Sequence, residues 1–238
     1  MIQSLITTLL QNGLSEHTIV TLLYLPIAAA MVAVARYIIG WKSFSMYATL
    51  LVTFVFYELS YNPITDSINL VSGLQMGGIL LMLSILSAFL SHTLLNEIRM
   101  HYLSKLGVAF TTASIFIGLV MYLLVLIFPI ASGTLNTIPV IMIIFMVDII
   151  IRNYVRKGFR KTMILTAYSL VLALGMYFVF AQEAVRGFVL AHPESVFYAL
   201  IITILTGKWL GLRLIEYLRF GDLLVGKNEN AKLVEEEG

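Results

Sequence analysis

Long, continuous runs of apolar residues separated by short polar stretches dominate this chain. Such runs predict helices rather than barrel strands, because barrel strands alternate apolar and polar residues and a helix satisfies its own backbone hydrogen bonds in lipid. We therefore predict an all-α polytopic membrane protein with seven transmembrane helices. The predicted spans cover residues 18–39, 46–60, 69–91, 106–130, 137–151, 162–181 and 196–215.

Two of these spans, 46–60 and 137–151, are short. A helix needs about 20 apolar residues to cross the hydrocarbon core of a bilayer. We expect each short span to be tilted, to cross a thin region, or to be partly re-entrant. A transporter with two equivalent interrupted halves is a weaker alternative, since no clear sequence repeat accompanies the short segments.

Composition agrees with a membrane location. The chain is 60% hydrophobic and 12% charged, whereas soluble domains are about 45–50% apolar and about 25% charged. The absence of cysteine excludes disulfides, thiolate metal sites and a cysteine nucleophile. We expect no catalytic, cofactor-binding or metal-binding residues, and the basic loop 152–161 needs no nucleic-acid partner, because membrane topology explains it.

The basic residues fix the expected orientation. Loops rich in Lys and Arg alternate with loops that are poor in them, and Arg186 is the one basic residue on the poor side. By the positive-inside rule, the amino terminus lies outside and the carboxyl terminus in the cytoplasm. We expect a short extracytoplasmic segment over 1–17 with an interfacial helix at 1–12, the membrane domain over 18–222, and a disordered cytoplasmic tail over 223–238. Small residues are expected at close helix contacts, namely Gly77, Gly78, Gly118 and Gly175.

Asp148 is the one acid well inside an apolar run. An ionisable residue at membrane depth is a candidate for function by default. Arg152 follows one helical turn later, at the spacing that favours an intrahelical ion pair. We favour the structural pair and keep the functional role as the alternative.

Further charges gather at the cytoplasmic ends of the first and last spans. They form, with Asp148 and Arg152, a candidate cytoplasmic-face cluster that could dock a soluble partner or an anionic group. Anchoring to lipid headgroups explains them equally well. The cluster comprises Arg36, Lys42, Asp148, Arg152, Lys208, Arg213, Glu216 and Arg219.

Three motifs, ARYIIGWKSFSMYATLLVTFVF, IMIIFMVDIIIRN and TGKWLGLRLIEYLRF, occur in this order. Together they resemble the bacterial seven-helix membrane domain usually fused to an inactive transglutaminase-like domain, over about residues 18 to 222. The chain departs from that pattern in having no Pro in the second span and an Asp at position 148, where a Glu is usual. The matching positions are Arg36, Ile39, Gly40, Phe44, Lys208, Gly211, Arg213, Glu216, Arg219 and Phe220.

The resemblance implies a multi-pass protein of the bacterial inner membrane, associated with ATP-grasp amide ligases. The family is also distantly similar to the membrane subunit of poly-γ-glutamate synthesis. The usual extracytoplasmic domain would precede the first span, where we count only 17 residues. We therefore expect a separate transglutaminase-like protein to supply that domain, if one is needed.

The resulting hypothesis is a non-catalytic membrane subunit, not an enzyme. It docks a cytoplasmic ATP-grasp-type amide ligase and helps to tether or export a peptide-like product. The alternative is an independent transporter or channel for small solutes or peptides. The expected partners are the lipid bilayer, the ligase and a transglutaminase-like protein, and oligomers of the chain are compatible with either function.

Overall fold

The computed structural model describes residues 8, 10–62, 67–96, 102–127 and 137–208, which are mostly helical. A five-residue π-helix, Ala35–Ile39, extends the first long helix. Two antiparallel two-residue strands, β1 Tyr61–Asn62 and β2 Ser67–Ile68, join the second and third helices. The helices are α1 Glu16–Val34, α2 Met46–Ser60, α3 Leu70–Asn96, α4 Tyr102–Ile127, α5 Thr137–Lys157, α6 Phe159–Phe180, α7 Glu183–Ala191 and α8 Ser195–Gly207.

Each of the seven predicted spans overlaps one of these helices, and α7 is additional. The predicted ends at 128–130 and 209–215 lie outside the described residues. The helix predicted at 46–60 is confirmed as the 15-residue helix α2, about 22 Å long at 1.5 Å per residue. The other short span lies within α5, which has 21 residues because it continues into a basic last turn. The prediction from the sequence was therefore too short for α5.

Length and apolarity alone qualify three helical segments as candidate membrane spans. They are Glu16–Ile39, Leu70–Ser91 and Phe159–Phe180. A fourth candidate is the pair formed by α7 and α8, which meet at an angle of 96° across a short break. The break falls at His192, Pro193 and Glu194.

The long helices run alternately up and down, so the bundle has two ends. His17 at the start of α1 contacts Glu58 near the end of α2, and we call this the His17 end. The opposite end holds Lys42, in the turn between α1 and α2, and we call it the Lys42 end. Serine caps begin α1 and α2, since Ser15 and Ser45 accept hydrogen bonds from backbone amides three residues on.

The helix α2 lies at the centre of the bundle and packs against α1, α3, α5 and α6. The largest core cluster contains the fully buried aromatic residues Tyr24, Tyr57, Tyr177 and Phe180. In contrast, α8 packs mainly against α1 and leaves most of its apolar side chains exposed. An apolar face of this kind suits contact with lipid.

Two glycines allow α3 to approach α2 closely. A Cβ atom at Gly73 would lie 2.6 Å from the Ser60 Cβ and 2.9 Å from the Phe56 carbonyl oxygen. A Cβ atom at Gly77 would lie 2.5 Å from the Phe56 ring. The prediction of a close contact is therefore confirmed at Gly77. It is wrong at Gly78, Gly118 and Gly175, where no described atom lies within 4 Å of a Cβ atom built on the glycine. The close contact at Gly73 was not predicted from the sequence.

The two predicted end segments lie largely or wholly outside the described residues. Of the interfacial helix predicted at 1–12, only residues 8 and 10–12 are described, and 8, 10 and 11 are helical. The predicted tail 223–238 lies outside the described part of the chain, and both assignments stay predictions.

Candidate functional site

A buried ion pair joins two helices at the His17 end. The His17 Nε2 atom lies 3.1 Å from Glu58 Oε1, and the two side chains are 8% and 15% exposed. The Thr21 hydroxyl, one turn along α1, donates to the same carboxylate oxygen at 3.4 Å. Because a buried carboxylate is costly unless it is paired, these contacts hold the first turns of α1 against the last turn of α2.

Aromatic rings surround the His17 imidazole. It stacks on the Tyr61 ring with centroids 3.6 Å apart and nearly parallel to the Tyr57 ring at 5.3 Å. Tyr57 in turn packs edge-on against Tyr24. The Tyr24 hydroxyl donates to the Phe180 carbonyl at 3.2 Å, so these rings also tie the end of α6 to the cluster.

A second ion pair fastens α7 across the same end. Arg186 Nη2 lies 2.9 Å from Glu16 Oε1, and Arg186 Nε donates to the same oxygen at 3.2 Å. The Arg186 side chain is only 14% exposed, whereas Glu16 is 45% exposed. The one basic residue that departs from the charge alternation is therefore a packed side chain linking α7 to α1.

Two polar atoms in this cluster have no partner in the described part of the protein. They are His17 Nδ1 and the Tyr57 hydroxyl, both buried. Buried polar atoms nearly always have a hydrogen-bond partner, so an unpaired one calls for water or another small polar group. Glu58 fixes the imidazole through Nε2 and leaves Nδ1 available for one further hydrogen bond.

At the Lys42 end, the predicted pair within α5 is confirmed. Arg152 Nη2 contacts Asp148 Oδ2 across one helical turn. Asp148 is buried and Arg152 is exposed, while Asp148 Oδ1 has no partner in the described part of the chain. This arrangement matches the snorkelling expected near a membrane boundary, where a long basic side chain reaches outward.

The other predicted site residues converge only in part. Arg36 lies in the π-helix and Lys208 directly after α8, and α8 packs against the π-helix, so both lie on one side of the bundle. In the described part of the chain, no ion pair or side-chain hydrogen bond links Arg36, Lys42 or Lys208 to another residue, including Asp148. Arg213, Glu216 and Arg219 lie outside the described residues.

The turn that carries Lys42 is fixed by its neighbours. Gly40 ends the π-helix with φ +86°, a left-handed conformation that glycine adopts without strain. The Trp41 indole then donates to the Tyr168 carbonyl at 2.9 Å, and the Phe44 amide donates to the Ser169 hydroxyl at 2.8 Å. Trp41 and Phe44 thus pack inward on α6, and Lys42 is left exposed.

Further exposed basic residues flank the Gly158 turn between α5 and α6. They are Arg156, Lys157, Arg160 and Lys161. Within the described ranges, no group of three or more His, Asp or Glu side chains could hold a metal ion.

A family model described as "7 transmembrane helices usually fused to an inactive transglutaminase" matches residues 5–224. The chain belongs to this family. This match confirms the resemblance inferred from the three motifs, and the chain is a multi-pass membrane protein. No curated protein and no solved structure matches it.

The sequence did not predict the cluster at the His17 end of this seven-helix family member. Two signals for it exist in the chain. Glu58 is an acid near the end of an apolar run, and Arg186 breaks the charge alternation. Each suggests a buried partner at that end of the bundle, but the partners, His17 and Glu16, are far away in sequence.

Proposed function

We propose that the chain is a non-catalytic membrane subunit that docks a cytoplasmic ATP-grasp-type amide ligase at its Lys42 end. We further propose that it helps to tether or export the peptide-like product of that ligase. The observation that carries the proposal is the set of basic side chains at the Lys42 end that have no described partner. Exposed cations of this kind can engage an acidic surface on a soluble protein without first breaking an internal ion pair.

The proposal gives the two ends of the bundle different roles, and the contacts at the His17 end support this difference. The ion pairs at that end, His17–Glu58 and Arg186–Glu16, are formed within the chain and join α1 to α2 and to α7. We assign this end to the outer face, with the amino terminus outside. Because the family is usually fused to a transglutaminase-like domain, we place a transglutaminase-like protein there as the second partner.

The contacts favour a non-catalytic role at both ends. Each carboxylate described in an ion pair holds one helix to another or stabilises its own helix. Catalysis by a carboxylate–imidazole pair would also require a nucleophile or a substrate within reach of the free imidazole nitrogen. The rings of Tyr57 and Tyr61 pack against the His17 imidazole instead.

Orientation is tested by labelling single cysteines, since the natural chain has none. Gln182→Cys and Lys157→Cys place thiols at exposed positions on opposite ends of the bundle. In intact cells, a membrane-impermeant maleimide should label position 182 at once and position 157 only after permeabilisation. The reverse pattern would overturn the orientation and, with it, a cytoplasmic docking face.

Docking is tested by photo-cross-linking in native membranes. A benzophenone amino acid at position 42 should capture an ATP-grasp-type ligase, identified by mass spectrometry. The same probe at Gln182, equally exposed at the other end, serves as the matched control and should capture no cytoplasmic protein. Failure to recover a ligase at position 42, with the chain folded and inserted, would refute the proposal.

An independent transporter is the second candidate, because α2, α3 and α6 bury several hydroxyl side chains. Most of these hydroxyls bond to carbonyls of their own helix, as Thr53 does to Thr49 and Ser84 does to Leu81. The described ion pairs lie near the two ends, whereas a solute path would need polar groups through the whole depth. Flux of peptides or anions into proteoliposomes containing only this chain would favour the transporter over the docking subunit.

A further inference from the structure

We infer that the junction of α3, α5 and α6 at the Lys42 end binds one anionic phospholipid. The acyl chain would occupy an apolar groove, and the phosphate would meet the basic residues of the α5–α6 turn. The inference rests on the membrane assignment and is independent of the proposed ligase docking.

The groove lies between α3 and the first turns of α6. Its volume is about 360 Å³, within the range of about 300–1,000 Å³ that is usual for ligand sites. The Phe89 and Phe159 rings meet edge-to-face with centroids 6.0 Å apart, and Tyr154 of α5 packs edge-on against Phe159. The lining side chains are Met82, Ile85, Leu86, Phe89, Phe159 and Met163.

Arg160 lies beside the lining residues of this groove on α6. Phe159, which lines it, directly precedes Arg160 and follows the Gly158 turn. Met163 also lines the groove, and Arg160 is its neighbour at the i,i+3 spacing on α6. Side chains of a helix lean toward its amino terminus. The Arg160 guanidinium is therefore directed toward the Lys42 end, beyond the apolar part of the groove.

Charge complementarity identifies the occupant as an anionic lipid. Arg156, Lys157, Arg160 and Lys161 are exposed and have no ion pair within the described part of the chain. Basic pockets between transmembrane helices recognise anionic lipid headgroups, whereas a zwitterionic lipid would fill the groove without matching the charge. A soluble acidic peptide would match the charge but would leave the apolar groove empty.

The test uses the purified full chain in detergent, titrated with phosphatidylglycerol and with phosphatidylcholine of the same acyl chains. Native mass spectrometry counts the bound lipids. We expect phosphatidylglycerol to bind more tightly than phosphatidylcholine. Since each basic residue near the surface contributes about fivefold in affinity, Arg160→Gln with Lys157→Gln, which lies one turn after Tyr154, should weaken phosphatidylglycerol binding by about 25-fold and leave phosphatidylcholine binding unchanged.

Two further variants separate a site from general surface charge. Lys42→Gln with Lys208→Gln removes the same charge from the same end, away from the groove, and should leave phosphatidylglycerol binding within about twofold of wild type, because exposed charges outside a site are screened. Leu86→Trp fills the exposed groove and should weaken binding of both lipids. Equal losses in the two charge variants, equal binding of the two lipids, or no effect of Leu86→Trp would each overturn the site.

Discussion

Charged side chains are arranged differently at the two ends of the bundle. At the His17 end, His17, Glu58 and Arg186 are largely buried and paired with residues that are distant in sequence. At the Lys42 end, the one described ion pair lies within a single helix, and most basic side chains are exposed without a described partner. The difference indicates that charge contributes to folding at the first end and is available for binding at the second.

The same contrast extends to the backbone. Near the His17 end, Gly73 brings α3 against Ser60 and Phe56, and the Tyr177 hydroxyl donates to the Leu70 carbonyl at 3.0 Å. The α1–α2 turn at the other end is held by Trp41 and Phe44 on α6, which leaves Lys42 exposed. Substitutions should therefore destabilise the protein at one end and change its interactions at the other.

The largest effect on stability is expected from Glu58→Ala. Removing one partner of a buried ion pair costs about 3–5 kcal/mol, and we expect about 3 kcal/mol because the Glu58 side chain keeps 15% of its surface exposed. Unfolding in mixed micelles measures the change. Glu194→Ala removes an exposed acid from the same end and should stay within about 0.5 kcal/mol. Equal effects of the two substitutions would contradict a structural role for Glu58.

The next largest effect is expected at the contact between α2 and α3. Gly73→Ala should destabilise the protein by about 2 kcal/mol, because overpacking typically costs about 1–3 kcal/mol and the new methyl group would meet a backbone carbonyl. The matched control is Gly78→Ala, five residues along the same helix, where the methyl group meets nothing described. The same unfolding assay should find the control neutral or slightly stabilised. A control as unstable as Gly73→Ala would contradict the close approach.

A smaller and asymmetric effect is expected for the pair in α5. Arg152→Gln leaves the buried Asp148 carboxylate unpaired and should cost about 1 kcal/mol, the lower end of the penalty for an unsatisfied buried group. Asp148→Asn leaves only an exposed guanidinium without a partner and should cost less. Measuring the free energy of unfolding of both variants checks that Arg152→Gln is the more destabilising. A larger loss for Asp148→Asn would show that Asp148 is not the buried member of the ion pair.

The smallest effect on stability is expected at the exposed cations. Lys42→Gln with Lys208→Gln should change the free energy of unfolding by no more than about 0.5 kcal/mol, because exposed side chains without partners add little to the folded state. Thermal unfolding of the variant, compared with that of wild type, checks this expectation. A loss comparable to that of Glu58→Ala would abolish the distinction between the two ends.

The helices were predictable because a membrane helix leaves a local signature. The apolar runs located a helix at each of the seven predicted spans, and the spacing of Asp148 and Arg152 predicted their contact. Contacts between distant segments leave no such signature. His17 and Glu58 are 41 positions apart, and Glu16 and Arg186 are 170 apart, so only the assembled bundle reveals them.

Glycine positions show the same limit. Gly77 and Gly78 are adjacent in sequence, yet only Gly77 faces Phe56. Which of two adjacent glycines meets the neighbouring helix depends on the rotation of α3 about its axis. An apolar sequence does not specify that rotation, because lipid-facing and helix-facing positions are both apolar.

The most direct test of the contrast between the ends is the yield of ligase cross-linked at position 42, expressed per folded molecule in native membranes. It should be measured for wild type, Glu58→Ala, and Arg36→Gln with Lys208→Gln. We expect Glu58→Ala to lower stability but keep the yield, and the double variant to keep stability and lose the yield. A double variant that cross-links the ligase as well as wild type does would show that the exposed cations at the Lys42 end do not dock it.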